Sequence, residues 1–340
     1  MIGVFSLKKG AFMQSVQSYI TPKNIKKKNR GDMIARNIFR ATSILSASFV
    51  VIVIVIIAIR GINPFILSYE GFNNVTGIVY LEPVNPVTFL LKNQWLEGPV
   101  GASSDYGVGF AIINTIIAVL FSIVITVPVA VLTALLVAKV APKKIASFLR
   151  TVIELLASIP SIIYGVIGLG VITNIVSWFA GLFGIQTAAG LSLMSTVLVL
   201  FMMTLPTITA VAETSIRAVK QDIIEGSLAL SATSMQTYFK VVLTSAKSGI
   251  FAGIILGVGR ALGEATAVSM VSGNSFSGIT VNPLATTSTL TSRMLLGIKE
   301  TSGIDYDIRF SVGLVLMVVI LVTNLVLKAV MKKVGNLDED

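Results

Sequence analysis

The sequence contains no cysteine and no histidine among its 340 residues. The missing cysteines exclude disulfides and thiolate metal sites, and the missing histidines exclude imidazole ligands as well as Ser-His and Cys-His catalysis. The pattern GxxxxGK[ST], whose backbone amides cradle nucleotide phosphates, does not occur, and no soluble stretch is long enough for a nucleotide-binding domain. We therefore expect a chain that is not an enzyme and that binds no metal or other cofactor itself.

Charge is scarce and hydrophobicity is high. Charged residues make up 12% of the chain and hydrophobic residues 54%, with a mean hydropathy of +0.89. Several uncharged runs reach the roughly 20 residues that span the hydrocarbon core of a bilayer. The sequence therefore predicts an all-α polytopic membrane protein with six transmembrane helices, near 41–59, 107–138, 151–170, 191–211, 247–274 and 310–327.

The basic residues alternate between the segments that join these helices. Of the 26 Lys and Arg residues, 20 fall in every second segment, five in the others, and the last is Arg260. Because cytoplasmic segments carry the excess of Lys and Arg, both termini are expected in the cytoplasm, in a cell membrane. This orientation divides the chain into a basic cytoplasmic tail (1–40), a first helix with an extracytoplasmic loop (41–106), a transmembrane core (107–331) with an inner region at 213–247, and a C-terminal cytoplasmic tail (332–340).

Three aromatic residues stand out in the extracytoplasmic loop, which is otherwise polar and acidic: Trp95, Tyr80 and Phe89. Aromatic rings are enriched where a membrane meets water, so interfacial anchoring is the favoured interpretation. Packing over the mouth of a transport path is the alternative.

The third predicted helix contains a breaker. Glu154 precedes Pro160 by six residues, and several glycines follow. Broken helices are tolerated in membranes where neighbours or a cavity satisfy the freed backbone groups. Glu154 either caps the inner end of this helix or lies on a substrate path.

The segment Lys247–Asn274 combines a membrane span with two charges, Arg260 and Glu264. An ionisable residue at membrane depth costs several kcal/mol unless it is paired or faces a polar cavity, on the order-of-magnitude scale of membrane insertion. The spacing of four predicts that both side chains share one helical face within ion-pair reach. The pair either serves a transport path or only satisfies itself while the helix packs.

Glycines recur along the same segment at intervals of four. Such rows let a second helix approach to backbone contact in lipid. We expect helix packing at Gly249, Gly253, Gly257 and Gly263.

The inner region 213–247 contains a capped amphipathic pattern. Thr233 and Gln236 fit a capping box, in which each side chain bonds the backbone of the other residue. Behind it, an apolar stripe with helical spacing consists of Met235, Tyr238, Phe239 and Val242. Since little basic charge accompanies the stripe, docking to a partner protein is favoured over a position on the lipid surface; packing on the chain's own helices is the alternative.

This region resembles the cytoplasmic signature of ABC importer permeases: Glu-Ala-Ala, three residues, Gly, nine residues, then Ile-x-Leu-Pro. Here Glu225, Gly226 and Ser227 open the pattern, Ser231 takes the glycine position, and 241–244 (VVLT) closes it. The spacing is intact, although Gly, Ser, Ser and Thr replace the two alanines, the glycine and the proline. The membrane motifs IELLASIPSIIYGVIGLG and GVGRALGEATAVSMVSGN are similar to those of phosphate importer permeases, and GRALGE is nearer to the C-type subunits.

The resemblance implies the type I ABC importer permease fold with cytoplasmic coupling helices. It implies a companion A-type permease, two ATP-binding subunits that carry MgATP, an extracytoplasmic phosphate-binding protein and inorganic phosphate as the substrate. It also implies that Arg260 and Glu264 line the substrate path. The residues that would couple to the ATPase subunits are Glu225, Gly226, Ser231, Met235, Tyr238, Phe239 and Leu243.

Other functions remain open from the residues alone. A permease for sulfate, molybdate or phosphonate would need similar charges. In an ATP-independent secondary transporter or channel, Arg260 and Glu264 would form a proton or ion relay. A membrane scaffold that transports nothing would leave the two charges with a packing role only.

Overall fold

The computed structural model consists mostly of α-helices and describes residues 22–73, 77–96, 105–276 and 278–336. The chain divides into two compact units, of which the first ends at Ile56 and the second begins at Ile57. Helix α1 (Pro22–Ile66) supplies the described part of the first unit. The basic tail predicted for 1–40 thus lies partly outside the described residues, and its remainder is helical.

The later helices lie in the second unit, together with two short hairpins. The hairpins are antiparallel and consist of β1 (Tyr69–Asn73) with β2 (Gly77–Leu81), and β3 (Trp95–Leu96) with β4 (Asp105–Tyr106). The helices are α2 (Pro86–Leu91), α3 (Gly109–Leu135), α4 (Lys143–Ser158), α5 (Ser161–Ile167), α6 (Thr173–Leu182), α7 (Leu193–Arg217), α8 (Gln221–Ala229), α9 (Ser234–Gln236), α10 (Leu243–Ser245), α11 (Lys247–Gly263), α12 (Thr266–Val271), α13 (Leu290–Leu295) and α14 (Ile304–Asn336). Wider π-helical turns occur at Leu136–Val140, Gly168–Ile172 and Thr237–Val242.

Within the described residues, five helical segments are long and apolar enough to cross a membrane: Asp32–Ile66, Gly109–Val140, Ser161–Leu182, Leu193–Arg217 and Ile304–Lys333. A sixth span is obtained if Ser234–Ser245 and Lys247–Gly263, which meet at 67°, are counted as one broken span. The chain is therefore an all-α polytopic membrane protein, as predicted.

The third span begins later than predicted. Helix α4 ends at Ser158, and α5 starts at Ser161 after Ile159 and Pro160 adopt extended backbone conformations. The expected break at Pro160 is present. It separates an amphipathic helix, to which Glu154 belongs, from the membrane-spanning segment, because proline cannot donate the hydrogen bond that would continue α4.

The glycine row of α11 packs against α7 at three predicted positions: Gly249, Gly253 and Gly257. A Cβ atom added to Gly257 would lie 2.5 Å from Cγ1 of Ile208, so a larger residue here would force the side chain of Ile208 to shift. Gly263 takes no part in this contact, and its packing role stays a prediction. This residue is exposed, and a Cβ atom there would meet nothing within 4 Å, because α11 ends at Gly263 and turns away from the seam.

The aromatic residues before α3 form a core rather than interfacial anchors. Trp95 is 0% and Phe89 is 1% exposed, and both pack into one cluster with residues of α13 and α14. Trp95 contacts the ring of Tyr106 edge to face, with centroids 5.4 Å apart. The favoured interpretation of these two residues was wrong because α2 turns Phe89 inward and the hairpin of β3 and β4 turns Trp95 inward. The side chain of Tyr80 lies outside the described residues.

Candidate translocation path and coupling surface

The central membrane segment is broken at Glu264, the second of its two predicted charges. Helix α11 ends at Gly263, Glu264 is extended with φ −76° and ψ 114°, and α12 begins at Thr266. Arg260 and Glu264 therefore do not share one continuous helical face. Within the described part of the chain they form no ion pair, so the predicted pairing is wrong.

Each of the two charges has its own partner instead. The carboxylate of Glu264, which is 9% exposed, accepts a hydrogen bond of 2.9 Å from the amide of Ala267. It thereby satisfies a free amide in the first turn of α12, as capping side chains do. The guanidinium of Arg260 donates a hydrogen bond of 2.7 Å to Oγ1 of Thr207 on α7. Arg260 is half-buried and keeps further donors for another acceptor.

A segment rich in serine and threonine packs against this break. We call residues 278–295 the threonine segment. The hydroxyl of Thr291 donates a hydrogen bond of 2.7 Å to the backbone carbonyl of Glu264. At the other end of α12, the amide of Thr287 donates to the carbonyl of Ser272 at 2.7 Å. Helix α12, which follows the break, is therefore held at both ends by one polar segment.

A cluster of charged side chains lies at the C-terminal end of α7. Of its contacts, only the pair with i,i+4 spacing could be predicted from the sequence. Glu213 is 5% exposed and accepts hydrogen bonds from Arg150 on α4 and Arg217 on α7, the latter at 2.7 Å. Arg217 also donates to the carbonyl of Val137 at 2.9 Å, so the cluster ties the π-helical turn after α3 and the middle of α4 to the end of α7. The hydrogen bond to Glu213, followed by the charge of that carboxylate, raises the pKa of Arg150.

Glu154 lies beside this cluster and not beside Arg260. Its side chain is exposed and lines a cavity of about 340 Å³ together with Arg150, Glu213 and Arg217. Helix α4 starts at Lys143, so Glu154 lies in its last turns and does not cap the start of the helix. The cavity mixes both signs of charge.

The inner region 221–245, which we call the coupling loop, has the predicted cap. The hydroxyl of Thr233 accepts from the amide of Gln236, and the side chain of Gln236 accepts from the amide of Thr233. Ser231, at the glycine position of the signature, has φ +64°. This left-handed conformation favours glycine, which explains why the signature carries glycine at that position.

The apolar stripe of the coupling loop is split, in contrast to the prediction of one continuous face. Residues 237–242 form a π-helical turn, which adds to the residues per turn and rotates the later side chains. Val242 is 0% exposed, and Tyr238 and Leu243 pack partly against the chain's own helices. Met235 and Phe239 remain exposed.

Further exposed side chains extend the outward part of the stripe. Leu230, which precedes the left-handed Ser231, is 86% exposed, and Ile223 and Leu228 are exposed as well. Glu225 and Gly226 lie on the exposed side of α8. The coupling loop therefore presents an apolar surface with an acidic residue at its edge. Large apolar patches that stay open to solvent in one chain mark contact surfaces.

In the described residues, no cluster of three or more His, Cys, Asp and Glu side chains is arranged to hold a metal ion. The chemistry of the two regions is instead that of binding and docking. One offers a half-buried guanidinium at a helix break, and the other offers exposed apolar side chains.

Comparison with known proteins links these regions to transport. A sequence model of the family described as "Binding-protein-dependent transport system inner membrane component" matches residues 127–336. The probable ABC transporter permease protein YqgH of Bacillus subtilis is 30% identical over 83% of this chain and 85% of its own length. The phosphate transport system permease protein PstC of Pasteurella multocida is 32% identical over 73% of this chain and 82% of its own length.

Solved structures agree in fold. A chain of a bacterial alginate ABC transporter, crystallised with an alginate pentasaccharide-bound periplasmic protein, superposes with a TM-score of 0.58 at 17% identity, covering 91% of this chain and 97% of that one. A chain of the inward-facing MetNI methionine ABC transporter gives a TM-score of 0.50 at 20% identity, covering 67% and 94%. At these identities the likeness is one of architecture.

Proposed function

Because the chain belongs to the family of binding-protein-dependent transport system inner membrane components, we propose that it is the C-type permease subunit of an ATP-driven phosphate importer. The chain is an ABC importer permease subunit with the type I fold. Phosphate as the substrate is supported by relatives named phosphate transport system permease protein PstC. The observation that carries the proposal is the half-buried Arg260 at the break of the central membrane helix.

Arg260 is suited to pass an oxyanion. Phosphate is negatively charged at neutral pH, and a guanidinium offers a permanent positive charge with a planar fork of donors. The hydrogen bond to Thr207 orients Arg260 and leaves further donors for the anion. Binding must also be weak enough for release, which a single contact site favours.

The two acidic residues of the proposed path have different tasks. Glu264 holds the start of α12 and places negative charge near the passing anion, which keeps binding weak. Glu154 lines the inner cavity beside Arg150 and Arg217, and we assign it to the exit of the path.

The coupling loop is the proposed docking surface for one of two ATP-binding subunits, which carry MgATP and hydrolyse it. Its exposed apolar residues, with Glu225 at the edge, would fill a groove on that partner. A companion A-type permease would complete the path, and an extracytoplasmic phosphate-binding protein would deliver the substrate. This chain itself would remain non-catalytic and bind no cofactor.

The proposed orientation places the coupling loop, both tails (1–40 and 332–340) and the ion cluster of Glu213 in the cytoplasm. The region 41–106 would supply the first helix and the extracytoplasmic cap, and 107–331 the permease core with its coupling region at 213–247. Single cysteines test this, since the chain has none of its own. Val281→Cys should react with an impermeant thiol reagent on intact cells, and Leu230→Cys only after lysis; the reverse pattern would invert the topology.

Arg260 variants test the path. We expect Arg260→Gln to assemble and to lose phosphate uptake by at least about tenfold, the scale of one lost charged hydrogen bond. The matched control is Thr207→Ala, which removes the partner of Arg260 but keeps its charge. If Arg260 served only to bond Thr207, Thr207→Ala would lower phosphate uptake as much as Arg260→Gln does. Near-normal uptake by an assembled Arg260→Gln complex would exclude the assigned role.

Substrate choice is tested with the assembled complex in liposomes. We expect uptake of labelled phosphate to require ATP and the loaded binding protein, and to resist an excess of sulfate, molybdate or phosphonate. Competition by one of these anions would identify the runner-up, a permease for another oxyanion. Phosphate uptake without ATP would identify a secondary transporter or channel.

A further inference from the structure

The helix break at Glu264 needs polar partners that the helix itself does not supply. Where α11 stops, the amide of Glu264 reaches only the carbonyl of Ala261, at 3.4 Å. The carbonyl of Glu264 has lost the amide that a continuous helix would bring four residues later. At membrane depth, such an unsatisfied group costs several kcal/mol, on the order-of-magnitude scale for buried polar groups.

Thr291 supplies that missing donor. Its Oγ1 lies 2.7 Å from the carbonyl oxygen of Glu264, and the residue is 4% exposed. Thr291 is far from Glu264 in sequence and belongs to α13 of the threonine segment. The bond therefore ties the proposed path to a segment that the proposed orientation places on the outer side.

The hydroxyl of Thr291 belongs to a series of hydrogen bonds in which the donor of each bond can be assigned. Because its single proton goes to Glu264, the 2.9 Å contact with Thr289 requires the Thr289 hydroxyl to donate to Thr291. Oγ1 of Thr289 in turn accepts from the amide of Ser292 at 3.2 Å. The chain runs from the first turn of α13 to the break, and hydrogen bonds in such chains polarise one another.

Two further contacts fix the start of α13, where this series of hydrogen bonds begins. The amide of Leu290 donates to Oγ1 of Thr115 on α3 at 2.9 Å, and Leu290 is 0% exposed. A capping box between Thr289 and Ser292 fixes the start of α13. The position of Thr291 is thus set by α3 and α13, not by the broken helix that it contacts.

We propose that Thr291 is a positioning residue of the transport path: through the carbonyl of Glu264 it fixes the helix break and links the threonine segment to Arg260 and Glu264. A movement of the threonine segment would then reach the carbonyl of Glu264 through this bond. The inference rests on the proposed function for the path at Arg260 and for the transported anion, but the bond between Thr291 and the break does not depend on either.

The test compares three single substitutions in the assembled complex. Thr291→Val has nearly the same shape but no hydroxyl, and Thr291→Ser keeps the hydroxyl. Thr209→Val is the matched control, since Thr209 is 0% exposed and its hydroxyl bonds only Leu205 of its own helix, at 2.7 Å. We expect Thr291→Val to lower uptake about tenfold, the scale of one buried hydrogen bond, with Thr291→Ser and Thr209→Val near the parent.

A second measurement reports the position of the break directly and does not depend on the substrate. Ala265→Cys places one thiol in the break of a chain that otherwise has none. We expect Thr291→Val to change the rate of its modification by a thiol reagent several-fold, and Thr291→Ser to restore the rate. Equal rates in the Val and parent backgrounds, or a Ser variant as impaired as Val, would overturn the inference. Arg260→Gln is assayed alongside: if it keeps normal uptake while Thr291→Val lowers uptake and changes the modification rate, the role proposed for Arg260 fails and the role of Thr291 at the break stands.

Discussion

The threonine segment buries polar side chains, whereas the coupling loop of the same chain exposes apolar ones. Thr287, Ser288, Thr289, Thr291 and Ser292 of the threonine segment are all buried. In the coupling loop, Leu230, Met235 and Phe239 are exposed. Both arrangements reverse the usual preference of these residue types.

This difference shows which of the two surfaces makes its contacts within one chain. In the threonine segment, hydroxyls and amides bond to one another and to neighbouring helices, so most of its buried polar groups have partners within the chain; in the described residues, Oγ1 of Thr287 is buried without one. The coupling loop has no such internal compensation for its exposed apolar area, which a partner would have to cover. Variants in the first region should therefore damage folding, and variants in the second should damage association.

The largest effect is expected at Arg293, which is 2% exposed and fixes the threonine segment from within. It donates hydrogen bonds to Ser288 at 2.8 Å and to the carbonyls of Asn274 and Ser275 at 2.7 and 2.6 Å. Arg293→Met would leave these carbonyls unsatisfied, at a cost of about 3–5 kcal/mol. We expect loss of the assembled complex, measured by size-exclusion chromatography and thermal unfolding.

Arg293→Lys is the control for this prediction, because lysine keeps the charge and loses the planar fork. Its stability should fall between the parent and the Met variant. A Met variant with the melting temperature of the parent would contradict the view that the threonine segment is self-supporting.

A smaller effect is expected at the coupling loop. Phe239→Asp places a charge in the exposed apolar surface and should weaken binding of the ATPase subunit by about 2 kcal/mol or more, the scale of an interface hot spot. Membrane insertion and the melting temperature of the isolated chain should stay unchanged. Co-purification with the ATPase subunit measures the first effect, and thermal unfolding measures the second.

Tyr238→Phe is the matched control, since Tyr238 packs partly against the chain's own helices. It should bind the ATPase subunit like the parent. If Phe239→Asp unfolds the chain, or if it retains full ATPase binding, the contrast between the two regions is lost.

The smallest effect is expected at Tyr69, whose hydroxyl donates a hydrogen bond of 2.9 Å to Asp307. Burial raises the pKa of Tyr69, and the hydrogen bond and charge of Asp307 raise it further. A raised pKa means that the neutral phenol is favoured in the folded state. Its contribution to stability is therefore complete below the ordinary tyrosine pKa of about 10 and is lost as the pH rises above it.

Tyr69→Phe should cost about 1 kcal/mol at neutral pH, the net value of one hydrogen bond. The difference in melting temperature between parent and variant should shrink above pH 10. A difference that grows with alkaline pH would contradict the assigned hydrogen bond.

Much of the fold was predictable because membrane helices leave a strong local signal. Apolar length located the spans, and the four-residue repeat predicted helix packing at Gly257, which contacts α7. The capping box at Thr233 was also correct, since it depends on residues three apart. In each case the controlling interaction is local or repeats along one helix.

The site was less predictable because long-range contacts decide it. Nothing in GRALGEATAVSM marks a break, which is stabilised by Thr291 from another segment. The ion pair predicted from the spacing of Arg260 and Glu264 assumed a continuous helix. The π-helical turn likewise moved Val242 from the expected docking face to the interior. For Glu213, the contact with Arg217 could be predicted from the i,i+4 spacing, but the contact with Arg150 could not.

The most direct measurement concerns Leu230, the most exposed large hydrophobic residue of the coupling loop at 86%. Leu230→Cys is labelled with a thiol reagent in the isolated chain and again after addition of the ATPase subunits, with Val281→Cys, which is 68% exposed, as the control on the other side. We predict that the ATPase subunits protect Leu230→Cys and leave Val281→Cys unchanged. Equal labelling of Leu230→Cys with and without the ATPase subunits would contradict it.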